Sequence, residues 1–594
     1  MRDAETTLNI IEDRGKRNLP LENVYRRLYN PDLYLRAYGR LYRNEGAMTK
    51  GTTPETVDGM SQRKIEEVIE LLKYERFQWT PVRRMLIPKG NGKTRPLGIP
   101  TWTDKLLQEV MRSILEAYYE PQFSPTSHGF RPGRGCHTAL KEIFHTWTGS
   151  RWFIEGDIKG CFDNIDHAIL LSILRETIHD NRFLILVENL LRAGYLEQWD
   201  YRPTLSGTPQ GGIISPLLAN IYLDRLDQFV EQTLVPRYTC GDIRRRNKDY
   251  IRLIAKIQKL RKDGAEETAL KPLKKEARRI GHGDQNDPDY RRLRYIRYAD
   301  DFLLGFTGPK DEAEEIKSQL EHFLRDHLKL EMSPEKTLIT HAGTEKARFL
   351  GYDTGVNNAP TAGKCTPGKV LLRMPPQKLE AKIAKYMRNG KPIHRAELRN
   401  GSDFSIVETY GSELRGLAQY YAFAKNRSWL HHLQWVMEVS MLKTLAHIHK
   451  STVRKMARRF RAEVYHQGAR RRCMEVKLER PNKEPLIARF AGIRLTTDPL
   501  LNIVDLPTDQ YRTPPPRVEL ITRLLADTCE LCGSHEHVQV HHIRALRDLT
   551  KRGRAEPPTW VRAMAARRRK TLVVCRTCHM DIQHGRPLRR VKAA

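Results

Sequence analysis

Apolar residues recur along this chain with two periods, and the change of period marks the change of element. Val407, Tyr410, Leu414, Leu417 and Tyr421 are spaced 3, 4, 3 and 4, the single apolar stripe of an amphipathic helix. Leu430, Leu433, Met437 and Met441 repeat the pattern. Val453, Met456, Phe460 and Val464 continue it, with Arg454, Lys455, Arg458, Arg459 and Arg461 on the remaining face. This predicts a basic helix from about Lys450 to Val464. The first 80 residues or so read as helical and rich in Arg and Tyr, closed by Pro81. From Met85 to about Tyr352 short β-type runs alternate with helical patterns, the signature of an α/β or α+β body. A basic segment from about Tyr238 to Arg294 interrupts that body. Its Tyr250, Ile254, Ile257 and Leu260 predict a charged helical insertion. Thr513-Pro514-Pro515-Pro516 reads as a stiff linker.

Two strand predictions bear on chemistry. Trp152, Phe153 and Ile154 form a strand that ends in Glu155-Gly156-Asp157-Ile158, and Gly160 turns the chain away. Tyr295-Ile296-Arg297-Tyr298 and Phe302-Leu303-Leu304-Gly305-Phe306 form two strands around Ala299-Asp300-Asp301. A tight hairpin there projects two adjacent carboxylates from its turn. An Asp-Asp pair alone is a common solvated turn. Set between two apolar strands, with a strand-end Asp upstream, it reads as a metal clamp. Mg²⁺ prefers hard oxygen ligands, and two such ions activate an attacking hydroxyl and steady a leaving pyrophosphate.

Charge points to the partner. The 594 residues carry 103 Lys and Arg against 71 Asp and Glu, a net charge of +32. The excess collects in runs such as Arg244-Arg245-Arg246, Lys274-Lys275 and Arg470-Arg471-Arg472, as polyanion binding requires. No apolar run approaches the roughly 18 residues of a membrane span, and the polar N-terminus resembles no targeting signal. The expectation is a cytoplasmic protein without a membrane partner. Five of the nine cysteines are dispersed, whereas Cys529, Cys532, Cys575 and Cys578 form two C-x-x-C pairs. That spacing suits one structural Zn²⁺ held by four thiolates. Between and just after the pairs stand His541, His542, His579 and His584, a second candidate metal site.

Tyr298-Ala299-Asp300-Asp301, and Asp157 followed five residues later by Phe162, resemble two signature motifs of the reverse transcriptases. The resemblance implies a right-hand polymerase whose catalytic residues are Asp157, Asp300 and Asp301. The backbone of Ile158 joins them in holding Mg²⁺, and Phe162 excludes a ribose 2′-hydroxyl. Pro88-Lys89-Gly90-Asn91-Gly92-Lys93-Thr94-Arg95-Pro96-Leu97 is similar to the fingers segment, so Lys89 and Arg95 are expected to meet the triphosphate. Thr208-Pro209-Gln210-Gly211-Gly212 is similar to the template and nucleotide platform, assigning Gln210 and Gly211 to binding. Ser333-Pro334-Glu335-Lys336-Thr337 is similar to the following motif, where Lys336 is either a proton donor to pyrophosphate or a surface lysine at a helix start.

His128-Gly129-Phe130-Arg131-Pro132-Gly133-Arg134-Gly135, Arg348-Phe349-Leu350-Gly351-Tyr352 and Arg415-Gly416-Leu417-Ala418-Gln419-Tyr420-Tyr421 narrow the resemblance to bacterial group II intron-encoded proteins. The C-terminal Cys and His residues resemble the HNH nucleases. That likeness makes His542 the general base and His541 and His579 ligands of a divalent ion, with His584 as a further candidate ligand. The motif's central Asn is not evident, and Gln583 stands where relatives often place a His.

The expected chain is therefore multidomain α+β. Residues 1–80 extend the fingers, and 81–360 form fingers and palm around the insertion at about 238–294. Residues 361–449 form a helical thumb or maturase domain, 450–525 a basic helical DNA-binding region with a linker, and 526–594 a small zinc-bound ββα-metal HNH module. The implied function is to bind intron RNA, assist its splicing, nick target DNA and copy the RNA from the new end with dNTPs. In a bacterial cell the protein would be associated with the nucleoid while acting on DNA. The alternative is a splicing maturase without active polymerase or nuclease. The basic insertion is expected to add RNA-backbone contacts. Deleting residues 241–287 should then weaken intron RNA binding and flatten its salt dependence; unchanged affinity would remove the insertion from the RNA interface.

Overall fold

The computed structural model describes residues 3–88, 92, 94–197, 200–202, 204, 206–207, 211–280, 282–284, 287–357, 368–466, 468–480, 483–501, 503–504, 519–543, 558–567 and 569–586. The proline-rich linker and Cys365 lie outside them.

A four-stranded antiparallel sheet organises the body of the protein. Its strands run in the order Ile339–His341, Trp152–Asp157, Asp301–Thr307, Arg292–Tyr298. Alternation of side chains across this sheet divides the interior in two. Ile154, Tyr295, Phe302, Leu304 and Phe306 face a core shared with the N-terminal helices. Phe153, Ile296 and Leu303 face a second core shared with the helices Asp403–Tyr420 and Leu430–Ile448. Burial on both faces explains why the central strand Asp301–Thr307 reads as a nearly continuous apolar run.

The sequence predictions meet this architecture unevenly. The helices Ala4–Lys16, Pro31–Leu41 and Gln62–Lys73 account for much of the N-terminal segment. The insertion is a pair of helices, Lys248–Lys262 and Glu267–Ile280, closed on their own small core of Ile257, Leu270 and Ala277. The long amphipathic patterns fall on Asp403–Tyr420 and Leu430–Ile448.

The basic helix is shorter than predicted. It spans Val453–Phe460, and Val464 lies instead on the strand Arg461–His466. That strand opens a three-stranded antiparallel sheet with Ala469–Arg480 and Lys483–Ala491. After Phe460 the chain alternates Arg461, Ala462, Glu463, Val464, Tyr465, a period-2 pattern that the four-residue spacing to Val464 disguised. Pairing decides the matter, as Val464 sits opposite Arg471 and Tyr465 opposite Arg470. The sheet packs on the helix Asp403–Tyr420 so closely that a Cβ on Gly411 would lie 2.1 Å from the Arg489 carbonyl. The predicted basic helical region is thus one short helix joined to a basic sheet.

The C-terminal part places the antiparallel strands Val538–His542 and Thr571–Cys575 before the helix Arg576–His584. Val538, Val540 and Val573 belong to the same core as the N-terminal helices, so this part is docked on the body. Among the described residues no helix is long and apolar enough to cross a membrane.

Candidate active sites

The first site forms where Trp152–Asp157 ends beside the hairpin. Asp157 is in register with Asp301, and Tyr298 pairs with Asp301 across a two-residue turn of Ala299 and Asp300. Ala299 takes the left-handed region (φ 55°), which an L-residue adopts only when its surroundings impose it. Here the imposition is a buried ion pair. Arg297 and Asp227 have fully buried side chains. The guanidinium donates Nε to Asp227 Oδ1 at 2.7 Å and Nη2 to Oδ2 at 2.5 Å. Nη1 then donates to the Ala299 carbonyl at 2.9 Å and to Asn220 Oδ1 at 3.1 Å, and Nη2 to Ser127 Oγ at 2.9 Å. Tyr295 donates its hydroxyl to Asp227 at 2.7 Å. The hairpin turn is therefore held from beneath by a satisfied polar network.

Two glycines permit the close approach. A Cβ on Gly129 would lie 2.4 Å from the Ala299 nitrogen, and one on Gly156 would lie 2.1 Å from the Phe302 ring. The motif containing Gly129 also carries Arg131, which donates to Glu120 and to the Ser124 and Ser127 carbonyls.

The carboxylates crowd one another. Burial raises the Asp301 carboxyl, helped by the Asp300 charge and the contact with Asp157, up to about 7. Burial and Asp157 also raise Asp300, against the pull of Arg95 and Lys336. Lys336 donates Nζ to both oxygens of Asp157, at 3.0 and 2.8 Å, and is itself raised by that bond. Its segment is a turn and not a helix start: Ser333 donates its amide to the Asp157 carbonyl at 2.8 Å and Lys336 to Ser333 at 3.1 Å. Ile158 is buried and donates its amide to the Asp300 carbonyl at 3.4 Å.

Phe162 is partly buried, edge-on to Phe130 at 6.3 Å between centroids. Arg95 lies exposed on the strand Thr94–Ile99. Gly211 (φ 107°) passes so near that strand that a Cβ would meet the Gly98 carbonyl at 2.4 Å. Lys89 and Gln210 fall outside the described residues.

The C-terminal part holds two clusters. Cys529, Cys532, Cys575 and Cys578 present sulfurs within 4.8 Å of one another. The Cys532 and Cys578 amides point at the Cys529 and Cys575 sulfurs, at 3.5 and 3.4 Å, an arrangement suited to thiolates on a soft ion. The second cluster contains His541, His579 and, from the N-terminal region, Asp58. Its neighbour His542 is buried, held neutral by burial down to about 3, with Nε2 2.9 Å from the Tyr38 hydroxyl. His584 is exposed at the end of its helix and is not brought into the cluster. Gln583 points there instead, donating to Asp58 at 3.1 Å. Neither Asp58 nor Tyr38 carried a signal in the sequence, because both lie hundreds of residues from the histidines they meet.

Comparison with known proteins follows this division. Residues 87–354 match the family model of reverse transcriptase (RNA-dependent DNA polymerase), 370–486 that of type II intron maturase, and 529–579 that of AI2M/AI1M-like HNH endonuclease. The chain is similar to the group II intron-encoded protein LtrA of Lactococcus lactis subsp. cremoris, 39% identical over 615 residues, which cover 98% of this chain and 100% of that protein. It is 34% identical over 606 residues to an uncharacterized 91 kDa protein in the cob intron of Schizosaccharomyces pombe, covering 98% and 72%. It is 32% identical over 608 residues to a putative COX1/OXI3 intron 1 protein of Saccharomyces cerevisiae, covering 96% and 70%.

Proposed function

This chain is a group II intron-encoded protein, an RNA-directed DNA polymerase and intron maturase with an HNH endonuclease, and from that premise we propose that it performs target-primed reverse transcription of its own intron. It binds the intron RNA, assists the folding from which the RNA splices itself, nicks target DNA, and extends the new 3′ end along the RNA with dNTPs. Acting on chromosomal DNA places it at the nucleoid of a bacterial cell.

The reverse transcriptase match implies the right-hand polymerase fold. We assign residues 1–80 and 81–360 to fingers and palm, 361–449 to the thumb, 450–525 to DNA binding and 526–594 to the nuclease. The DNA-binding surface then includes the exposed Arg454, Lys455, Arg458 and Arg459 together with Arg470 and Arg472 of the sheet. Exposed cations lying along one helix and one sheet suit a phosphate backbone.

The observation that carries the polymerase reading is the meeting of three carboxylates, two of them raised by burial and mutual repulsion, at a strand end and a hairpin turn. An all-oxygen set under such repulsion fits Mg²⁺. When bound, that ion polarises the phosphoryl group and steadies developing charge on both attacking and leaving oxygens. Asp157, the Ile158 carbonyl, Asp300 and Asp301 would hold it. Phe162 beside Phe130 supplies the wall against a 2′-hydroxyl. Arg95 with Lys89 meets the triphosphate, and Gln210 with Gly211 supports the pairing nucleotide. Lys336, drawn to Asp157, is placed to give a proton to pyrophosphate.

In the nuclease the four cysteines hold Zn²⁺, which substitutes for a larger core. His541 and His579 hold the divalent ion. His542, kept neutral by burial, is the general base that takes a proton from water.

The test is a duplex carrying the intron's target site, given the protein with its intron RNA, dNTPs and Mg²⁺. The expected products are a nicked strand and cDNA covalently joined to its 3′ end. Splicing assistance without nick or cDNA would leave a maturase alone.

A further inference from the structure

We propose that Asp58, from the N-terminal region, is a ligand of the nuclease metal. The proposal rests on reading His541 and His579 as ligands, and it adds one supplied by the polymerase body.

Asp58 Oδ1 stands 3.1 Å from His579 Nε2 and 3.5 Å from His541 Nδ1. Ligand atoms about 2.1 Å from a common ion lie roughly 3.0–3.4 Å apart at octahedral to tetrahedral angles, so the 3.1 Å separation matches a shared cation and the 3.5 Å one needs a shift of a tenth of an ångström or so. A simple ion pair accounts for less. His541 is buried, and its ring nitrogens make no well-formed hydrogen bond among the described residues, Nδ1 standing 3.5 Å from Asp58 Oδ1. An imidazole paired only with a carboxylate would donate to it. Leaving both nitrogens unsatisfied in a buried ring is costly, and a cation accepting the Nδ1 lone pair removes part of that cost.

The carboxylate is also aimed. The His542 amide donates to Oδ1 at 2.8 Å, and Gln583 Nε2 donates to Oδ2 at 3.1 Å. Gln583 thus orients a ligand where a histidine would itself have been one. Asp58 is brought there by strand addition. The Gly59 amide donates to the Val540 carbonyl and the Val540 amide to the Met60 carbonyl, both at 2.9 Å. Gly59 (φ 83°) makes the turn, and Met60 is wholly buried. The metal site is complete only while the nuclease is docked on the body.

The test uses the full-length chain in an Asp300→Asn background, which weakens metal binding at the polymerase centre. Mn²⁺ binding is titrated by electron paramagnetic resonance for the background protein, Asp58→Asn and His541→Ala. Elemental analysis reading one zinc per chain, with an unchanged melting temperature, establishes that each variant is folded. Asp58→Asn keeps the acceptor facing the His542 amide. It should lower Mn²⁺ affinity at least about tenfold, as should His541→Ala. Loss in His541→Ala alone would remove Asp58 from the ligand set and leave the nuclease reading standing. No loss in either would overturn both. Tighter Mn²⁺ binding with faster nicking in Asp58→Asn would make Asp58 a block on the site, and would overturn the proposal.

Discussion

Asp300→Asn is expected to lower RNA-templated primer extension by about 10²–10³-fold, the scale seen when a preorganised electrostatic partner of a transition state is removed. The substitution preserves size and leaves the turn's backbone contacts in place, so RNA binding should be unchanged. The same change should stabilise the metal-free protein. Three carboxylates meet at a partly buried site, and Asp301 is pushed up to about 7, against roughly 3.9 for an unfolded Asp. Its folded state therefore holds a proton more tightly. The contribution of Asp301 to stability without metal is greatest below about pH 4, declines as pH rises between about 4 and 7, and is lost above. In EDTA at pH 8, Asp300→Asn removes one of the repelling charges and should raise the melting temperature. Mg²⁺ should raise it in the wild type and far less in the variant. Synthesis by Asp300→Asn near the wild-type rate would remove the hairpin from the catalytic centre.

Asp227→Ala is expected to be the most damaging substitution away from the metal ligands. It leaves the Arg297 guanidinium at zero exposure without its counter-charge, a loss of about 3–5 kcal/mol. For a body of this size that lowers the melting temperature by about 4–7 °C. Replacing both partners, Arg297→Met with Asp227→Leu, removes the charges together and should recover most of the stability. Activity should not recover with it. Arg297 also donates to the Ala299 carbonyl and to Ser127, and Met cannot. The double variant should fold, bind RNA and extend primers slowly, with the defect in kcat. Full activity in the double variant would reduce the pair to a structural role, and an unchanged melting temperature in Asp227→Ala would deny it even that.

What could be read from the sequence was local. Asp300 and Asp301 follow the alternating strand Arg292–Tyr298 by two or three residues, so the flanking pattern alone implied the hairpin. Asp157 was legible for the same reason, as the last residue of a strand that stops at a Gly-containing turn. Each C-x-x-C pair declared itself because two thiolates three residues apart can share one ion without help from the rest of the fold. The likeness to group II intron-encoded proteins was written in such short ordered motifs, and the comparisons bear it out over the full chain.

Where the reading missed, long-range pairing decided. Val464 fits a helical stripe by spacing, but its partner is Arg471 on the next strand, and that ladder outweighs a weak local preference. Arg297 looked like one charged residue in an apolar strand; only folding brings Asp227 and Ser127 around it. His584 was the nearer histidine on paper, yet helix rotation turns Gln583 toward the cluster and leaves His584 in solvent. Asp58 shows the limit most clearly. The sequence by itself determined the chemistry available to this protein, its carboxylates, thiolates and imidazoles and the short elements that carry them. The tertiary structure alone decided which distant groups meet in a cluster, a hydrogen bond or a buried charge pair, because those interactions act through space and fall away within a few ångströms.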